Sequence, residues 1–198
     1  RFKFSPDTIE GGNGVSVKDT PEQIQRRNEL YILRSGNLDS LFKYGSIYNL
    51  TAISKEFPAS LEIQDAVKEA LVKSFLNDGF YYVLRTIEAF SLSQEFLSDP
   101  VIVSAAERHL IDSLLKGHNG NAERIIEMIP IPNEFIGSPE VQSAAEQGIM
   151  AAVKVGTFYG NAIKPFKRIA DKYALSQEFF TSPEMISAAE QGVASILE

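Results

Sequence analysis

The amino-acid sequence predicts an all-α protein, built as a right-handed α-solenoid of about four and a half helix-turn-helix repeats. The first observation is a motif, Leu/Ile-x-x-Glu-Phe, whose phenylalanines recur at intervals of 39, 39 and 44 residues. The second is a Ser-Ala-Ala-Glu sequence that follows the last three copies of this motif at a constant distance. A fixed period in this range is typical of repeats that bury their apolar faces against one another. The recurring phenylalanines are Phe57, Phe96, Phe135 and Phe179.

The repeats begin near residue 20, so the chain divides into an N-terminal lead and one repeat domain. Residues 1–19 are predicted to be a flexible lead, because Gly11-Gly12-Asn13-Gly14 offers backbone freedom without apolar periodicity. Residues 20–198 are predicted to form a single α-solenoid domain. Its units are expected at about 20–58, 59–98, 99–137 and 138–181, with a half unit at 182–198.

The first helix of each unit has a recognisable start. Thr20-Pro21-Glu22 combines a hydroxyl N-cap, Pro at the first helical position and an acid in the first turn, so a helix is predicted from Pro21 to about Ser35. Its partner is expected from Leu38 to about Ala52. The later first helices are predicted to open at Ser60-Leu61, Asp99-Pro100, Ser138-Pro139 and Ser182-Pro183.

The second helices follow glycine-containing turns. Phe80 to Phe90 is predicted to be the second helix of its unit, after Asn77-Asp78-Gly79. In the next unit Gly117 to Gly120 forms the turn, and the second helix is expected from Asn121 to about Met128. The fourth unit is expected to break at 156–160 and to resume as a helix to about Tyr173.

Small residues predict close packing between units. The Ala-Ala pair of each Ser-Ala-Ala-Glu lies on the apolar face of a first helix, and Gly148 and Gly192 extend this track by one turn. The phenylalanine of Glu-Phe is expected to fill the gap between hairpins. The last helix has an apolar face with no partner in the chain, so we expect either a terminal cap or, preferably, a piece of a longer array.

The hairpins resemble those of the tandem αα-hairpin families. Ala66 to Ala89 is similar to pentatricopeptide and tetratricopeptide hairpins, and so is Leu110 to Gly117 followed by Asn121 to Met128. The period of about 39 residues is closer to HEAT or octotricopeptide lengths. The resemblance implies an α-solenoid with a concave recognition surface and no catalytic role.

The composition restricts the classes of partner. The net charge of −7 lowers the expectation of nucleic-acid or anionic-membrane binding, because phosphate-binding surfaces are usually basic. No apolar run of transmembrane length and no signal peptide is visible, so we expect a cytoplasmic location without membrane association. The chain contains no cysteine, which excludes disulfides and thiolate metal sites.

Catalytic chemistry finds little support in the sequence. Only two histidines occur, His109 on a predicted helix and His118 in a turn, and neither has a second ligand at metal-binding spacing. Motifs of hydrolases, zinc proteases and calcium loops do not occur. We therefore expect no enzyme, no metal and no cofactor.

Three sets of charged residues are candidates for a binding surface. Glu95, Glu134 and Glu178 recur with the phenylalanines, and a charge favourably placed on a helix dipole is the simpler interpretation. Glu107, Glu146 and Glu190 form a second ladder, which would favour a basic peptide if it lined the concave face. Basic residues at Lys164, Lys167 and Arg168 lie among aromatics, a pattern that single-stranded nucleic acid uses.

The sequence therefore predicts a non-catalytic binding or scaffold module that recognises a protein or peptide on its concave face. The alternative is an RNA-binding helical-repeat protein of pentatricopeptide or octotricopeptide type. Self-association of copies through the last helix is a further alternative.

Overall fold

A computed structural model of the chain describes residues 19–35, 51–54, 56–57, 59–77, 79–155 and 171–197. Every regular element in these ranges is an α-helix, which confirms the all-α prediction. Long helices are α1 (Pro21–Ser35), α3 (Leu61–Leu76), α6 (Pro100–Leu115), α9 (Pro139–Lys154) and α11 (Pro183–Leu197). Second helices are α4 (Phe80–Phe90) and α7 (Asn119–Met128). Short helices of four residues are α2 (Thr51–Ser54), α5 (Gln94–Leu97), α8 (Asn133–Ile136) and α10 (Gln177–Phe180).

The long helices begin at the predicted caps. The side chain of Asp99 accepts a hydrogen bond from the Val101 backbone N–H at 2.9 Å, and Ser182 accepts one from the Met185 N–H at 3.2 Å. Pro follows both caps at the first helical position, where a backbone N–H would have no acceptor within the helix. Such side-chain caps contribute about 1 kcal/mol each to helix stability.

The recurring Glu-Phe motif forms a short helix between units. Ser93 caps α5 by accepting from the Phe96 N–H at 3.2 Å, so the motif is itself a capped helical turn. The ring of Phe96 meets that of Phe57, its equivalent in the preceding unit, edge to face at 5.4 Å between centroids. The next residue, Leu97, is almost fully buried. The motif therefore anchors the connection between units, with Leu97 deeper than the phenylalanine.

The long helices pack on one another in chain order. Helix α3 packs against α1 and α6, and α9 packs against α6 and α11. The second helices α4 and α7 pack on the long helices of their own units, α3 and α6. The core accordingly runs along the row of long helices, and each inner long helix shares it with two neighbours.

At two junctions the same repeat position lies at the contact between a long helix and the preceding unit. Gly148 of α9 lies so close to α6 that an added Cβ atom would be 1.9 Å from the carbonyl oxygen of Leu114. The equivalent residue of α6 is His109, whose buried ring contacts Phe75 of α3 and Phe80 of α4 at centroid distances of 5.7 and 5.9 Å. The same repeat position therefore holds a glycine at one junction and an imidazole at another.

Some predicted segments lie outside the described residues. These are residues 1–18 of the lead, most of the predicted helix from Leu38 to Ala52, and residues 156–170 of the fourth unit. Within the described part, α7 begins at Asn119, two residues before the predicted start at Asn121. His118 forms its N-cap and is exposed.

Candidate protein-binding surface

The predicted glutamate ladder lies mostly at the junctions between units. Glu107 and Glu146 are half-buried, whereas Glu190, on the last long helix, is exposed. Burial raises the pKa of Glu107, because desolvation disfavours the ionised carboxyl. The basic candidates Lys164, Lys167 and Arg168 lie outside the described residues.

An ion pair in the preceding unit shows which contact the Glu107 position makes there. Lys68 of α3 occupies the position equivalent to Glu107, and its Nζ lies 2.6 Å from Oδ2 of Asp99. Asp99 caps the next long helix, so the pair joins two successive units. Hydrogen bonding from Lys68 holds the pKa of Asp99 below its ordinary value. Glu107 and Glu146 therefore occupy the repeat position at which Lys68 contacts the following unit.

The other acidic series has a local explanation. Glu95, Glu134 and Glu178 are exposed and lie in the first turns of α5, α8 and α10. A carboxylate in a first turn faces the positive end of the helix dipole. This placement matches the simpler interpretation of the series.

The most distinctive exposed cluster lies on the second helix α4. The guanidinium carbon of Arg85 lies 5.4 Å from the centroid of the Tyr81 ring, and its Nε donates to the Tyr81 hydroxyl at 3.0 Å. Glu88 lies 3.4 Å from Nη1 of the same guanidinium. Tyr81 is 57% exposed and meets Tyr82 edge to face at 5.6 Å. These contacts hold an exposed tyrosine and an arginine in one arrangement before any partner binds.

Part of this cluster repeats. Helix α7 carries Arg124 and Glu127 at the positions equivalent to Arg85 and Glu88, and both are exposed. Arg168 and Asp171 continue the Arg-x-x-acid series in the sequence, with Asp171 exposed. The signal was present in the sequence as a spacing of 39 and then 44 residues. The lysines next to Arg168 obscure this signal, because they place that arginine in a local basic cluster.

The part of the chain that the structure describes was compared with the requirements of a metal site and of a membrane span. Within these ranges no three His, Asp or Glu side chains lie close enough together to hold a metal ion. His109 is buried among phenylalanine rings, a packing position rather than a ligand position. None of the described helices combines the length and the apolar character of a membrane span.

Neither a family profile, nor a characterised protein, nor a solved structure gives a significant match to the chain.

Proposed function

We propose that this chain is a non-catalytic helical-repeat module that binds a protein or peptide. In this proposal the chain is a right-handed α-solenoid of about four and a half units, and the partner lies along its concave face. The support for the architecture is the row of long helices, in which α1, α3, α6, α9 and α11 pack in chain order. Repeats that stack in this way present the same surface position once per unit.

The observation that carries the proposal is the cluster of Tyr81, Arg85 and Glu88. Tyrosine and arginine are enriched among residues that dominate protein–protein binding energy. A tyrosine already held by a cation–π contact and a hydrogen bond loses little rotamer freedom on binding. Because Arg124 and Glu127 repeat the charged part of the cluster on α7, an extended partner meets the same pair of charges twice.

The alternative partner is single-stranded RNA. Its support is the same cluster, since bases stack on exposed aromatic rings beside arginines. Two acidic residues argue against RNA binding. Glu88 already pairs with Arg85, and Glu127 lies three residues after Arg124 in the same arrangement. The net charge of −7 also argues against RNA binding, because it repels the phosphate backbone.

The experiment compares three forms of the full chain as immobilised baits against a lysate, with quantitative mass spectrometry of the bound proteins. We expect a reproducible set of proteins bound by wild type to be depleted by Tyr81→Ala. The matched control is Tyr31→Ala, which removes a 72% exposed tyrosine from α1. Retention of the whole set by Tyr81→Ala, or equal loss with both variants, contradicts the proposal.

A titration with random single-stranded RNA distinguishes RNA binding from protein binding. Fluorescence anisotropy at low salt is expected to show no saturable binding. Saturable binding that weakens steeply with salt and is lost in Tyr81→Ala favours RNA instead.

A further inference from the structure

One side of the long helices stays exposed after these helices have packed into a row. On α9, Ser143 and Gln147 are exposed although α6 and α11 both pack on this helix. The equivalent residues of α11, Ser187 and Gln191, are exposed as well. We call the side of α6, α9 and α11 that carries these positions the open side. Its exposure does not depend on where the row ends, because α9 lies inside the row.

The same hydrogen bond forms on the open side of two successive long helices. On α9, Gln147 Nε2 donates to Ser143 Oγ at 3.2 Å. On α11, Gln191 Nε2 donates to Ser187 Oγ at 3.3 Å. Each bond uses one N–H of a side-chain amide that also has a second N–H donor and a carbonyl acceptor. A peptide group, with one donor and one acceptor of its own, is the complement of what each glutamine still offers.

The same repeat position is charged on the two preceding long helices. Arg108 of α6 and Glu69 of α3 are the equivalents of the glutamines, and both are exposed. Glu69 pairs with Lys73 of its own helix, with Nζ 2.6 Å from Oε1. Arg108 therefore stands beside the two neutral amides as the basic end of the open side, and its charge is complementary to a carboxylate.

The spacing of the long helices fits one conformation of a bound chain. Packed helices lie about 8–10 Å apart. A polyproline II segment rises about 3.1 Å per residue and completes a turn in three residues, so it repeats about every 9 Å. Every third peptide group of such a segment would meet the equivalent position of the next long helix. Its N–H and C=O groups make no internal hydrogen bonds, so they are available to the glutamines.

The charges around the glutamines argue against RNA on this surface. Glutamine side chains also pair with the edges of adenine bases. Glu140 and Glu184, however, are exposed and lie three residues before Ser143 and Ser187, which places them on the same side of their helices. These carboxylates would repel a phosphate backbone. The main chain of a peptide carries no such charge.

We propose that the open side binds an extended segment of a partner protein through the main chain of that segment. Gln147 and Gln191 bond to peptide groups three residues apart, and Arg108 pairs with an acidic residue of the partner, which fixes the register. This surface belongs to the long helices, whereas the Tyr81 cluster lies on the second helix α4. The inference therefore goes beyond the Tyr81 cluster and does not depend on it.

The probe is a fluorescein-labelled peptide of about ten residues, enough to cross three long helices at three residues each. It has glutamate at its second position and serine at all others. A second peptide has the reverse order, so that both chain directions are tested. The full chain is titrated into each peptide, and fluorescence anisotropy gives the Kd.

Saturable binding of one of the two peptides is expected. The double variant Gln147→Ala/Gln191→Ala should lower its affinity about ten-fold, because two hydrogen bonds are lost. Gln177→Ala, which removes an exposed glutamine from α10, is the matched control and should bind as wild type does. Unchanged melting curves of these variants establish that the fold is intact.

Changes in the peptide test the main-chain contact on an unaltered protein. Alanine in place of the serines should leave the affinity unchanged, whereas N-methylation of the same peptide groups should lower it about ten-fold. Arg108→Glu should lower the affinity about five-fold, and a peptide with lysine in place of its glutamate should restore it.

Four outcomes overturn the proposal. They are the absence of saturable binding by both peptides, equal affinity of wild type and the double glutamine variant, and equal affinity of the N-methylated and unmodified peptides. The fourth is saturable binding of random single-stranded RNA that the double glutamine variant abolishes, since the glutamines would then bind bases.

Discussion

Replacement of Gly148 by alanine tests whether two long helices touch through their backbones. The added Cβ atom would lie 1.9 Å from the Leu114 carbonyl oxygen and 2.9 Å from its carbonyl carbon, whereas ordinary contact begins near 3.4 Å. Both atoms belong to the backbone of α6, so no side chain can rotate away. Helices α6 and α9 must therefore separate locally by about 1.5 Å to admit the methyl group.

The net effect is a difference between two terms. Alanine in place of an interior helical glycine stabilises a helix by about 1 kcal/mol. Overpacking of a close contact destabilises by about 1–3 kcal/mol, and this contact lies at the severe end of that range. We expect a net loss of about 1–2 kcal/mol in the free energy of unfolding, which for a chain of this size lowers Tm by about 2–8 °C.

The matched control is Gly120→Ala on α7. A Cβ atom at Gly120 meets nothing within 4 Å, so only the backbone term remains and the variant should be stabilised by about 0.5 kcal/mol. Circular dichroism melts and urea titrations of both variants measure the difference. If Gly148→Ala is as stable as Gly120→Ala, the close approach of α6 and α9 is refuted.

Two further predictions concern the junction between α3 and α6. Asp99→Asn keeps a good helix cap but removes the charge facing Lys68, so we expect a loss of about 0.5–1 kcal/mol at pH 7. Because the folded pKa of Asp99 is lowered, its contribution is present above the unfolded pKa of about 3.9 and is lost as the pH falls through the folded value. Urea titrations along a pH series should show the two proteins converging in acid, and a constant difference would contradict the ion pair. His109→Ala should destabilise by about 2–3 kcal/mol by leaving a cavity among phenylalanine rings, whereas His118→Ala should change stability by less than about 0.5 kcal/mol. Equal melting temperatures of the two histidine variants would contradict the buried role of His109.

Local sequence signals predicted the helix boundaries well, because caps act within a few residues. The start of α1 at Pro21 and the whole of α4 from Phe80 to Phe90 follow directly from Pro, Gly and hydroxyl residues. The prediction was less accurate at α7, since the Gly-rich turn before Asn121 is itself partly helical. The sequence did not predict the short helices α5, α8 and α10.

The roles of individual side chains were harder to predict, because they depend on which face of each helix the next unit covers. Glu107 looks like a surface residue by type, yet its repeat position is a junction position, as the Lys68–Asp99 pair shows. Arg85 looks like an isolated surface charge, and only the structure shows it stacked on Tyr81. Side-chain periodicity identifies the apolar face of a helix. It does not show which polar side chains contact one another or the next unit.

The difference between His109 and Gly148 at one repeat position has a geometric consequence. An imidazole packs between α6 and the preceding unit, whereas at the next junction a glycine allows the backbones of α6 and α9 to touch. How closely two long helices approach at such a junction is then limited by the volume of the side chain at this position. One substitution at this position can therefore change the separation of two long helices, while the residues that cap and bound each helix stay the same.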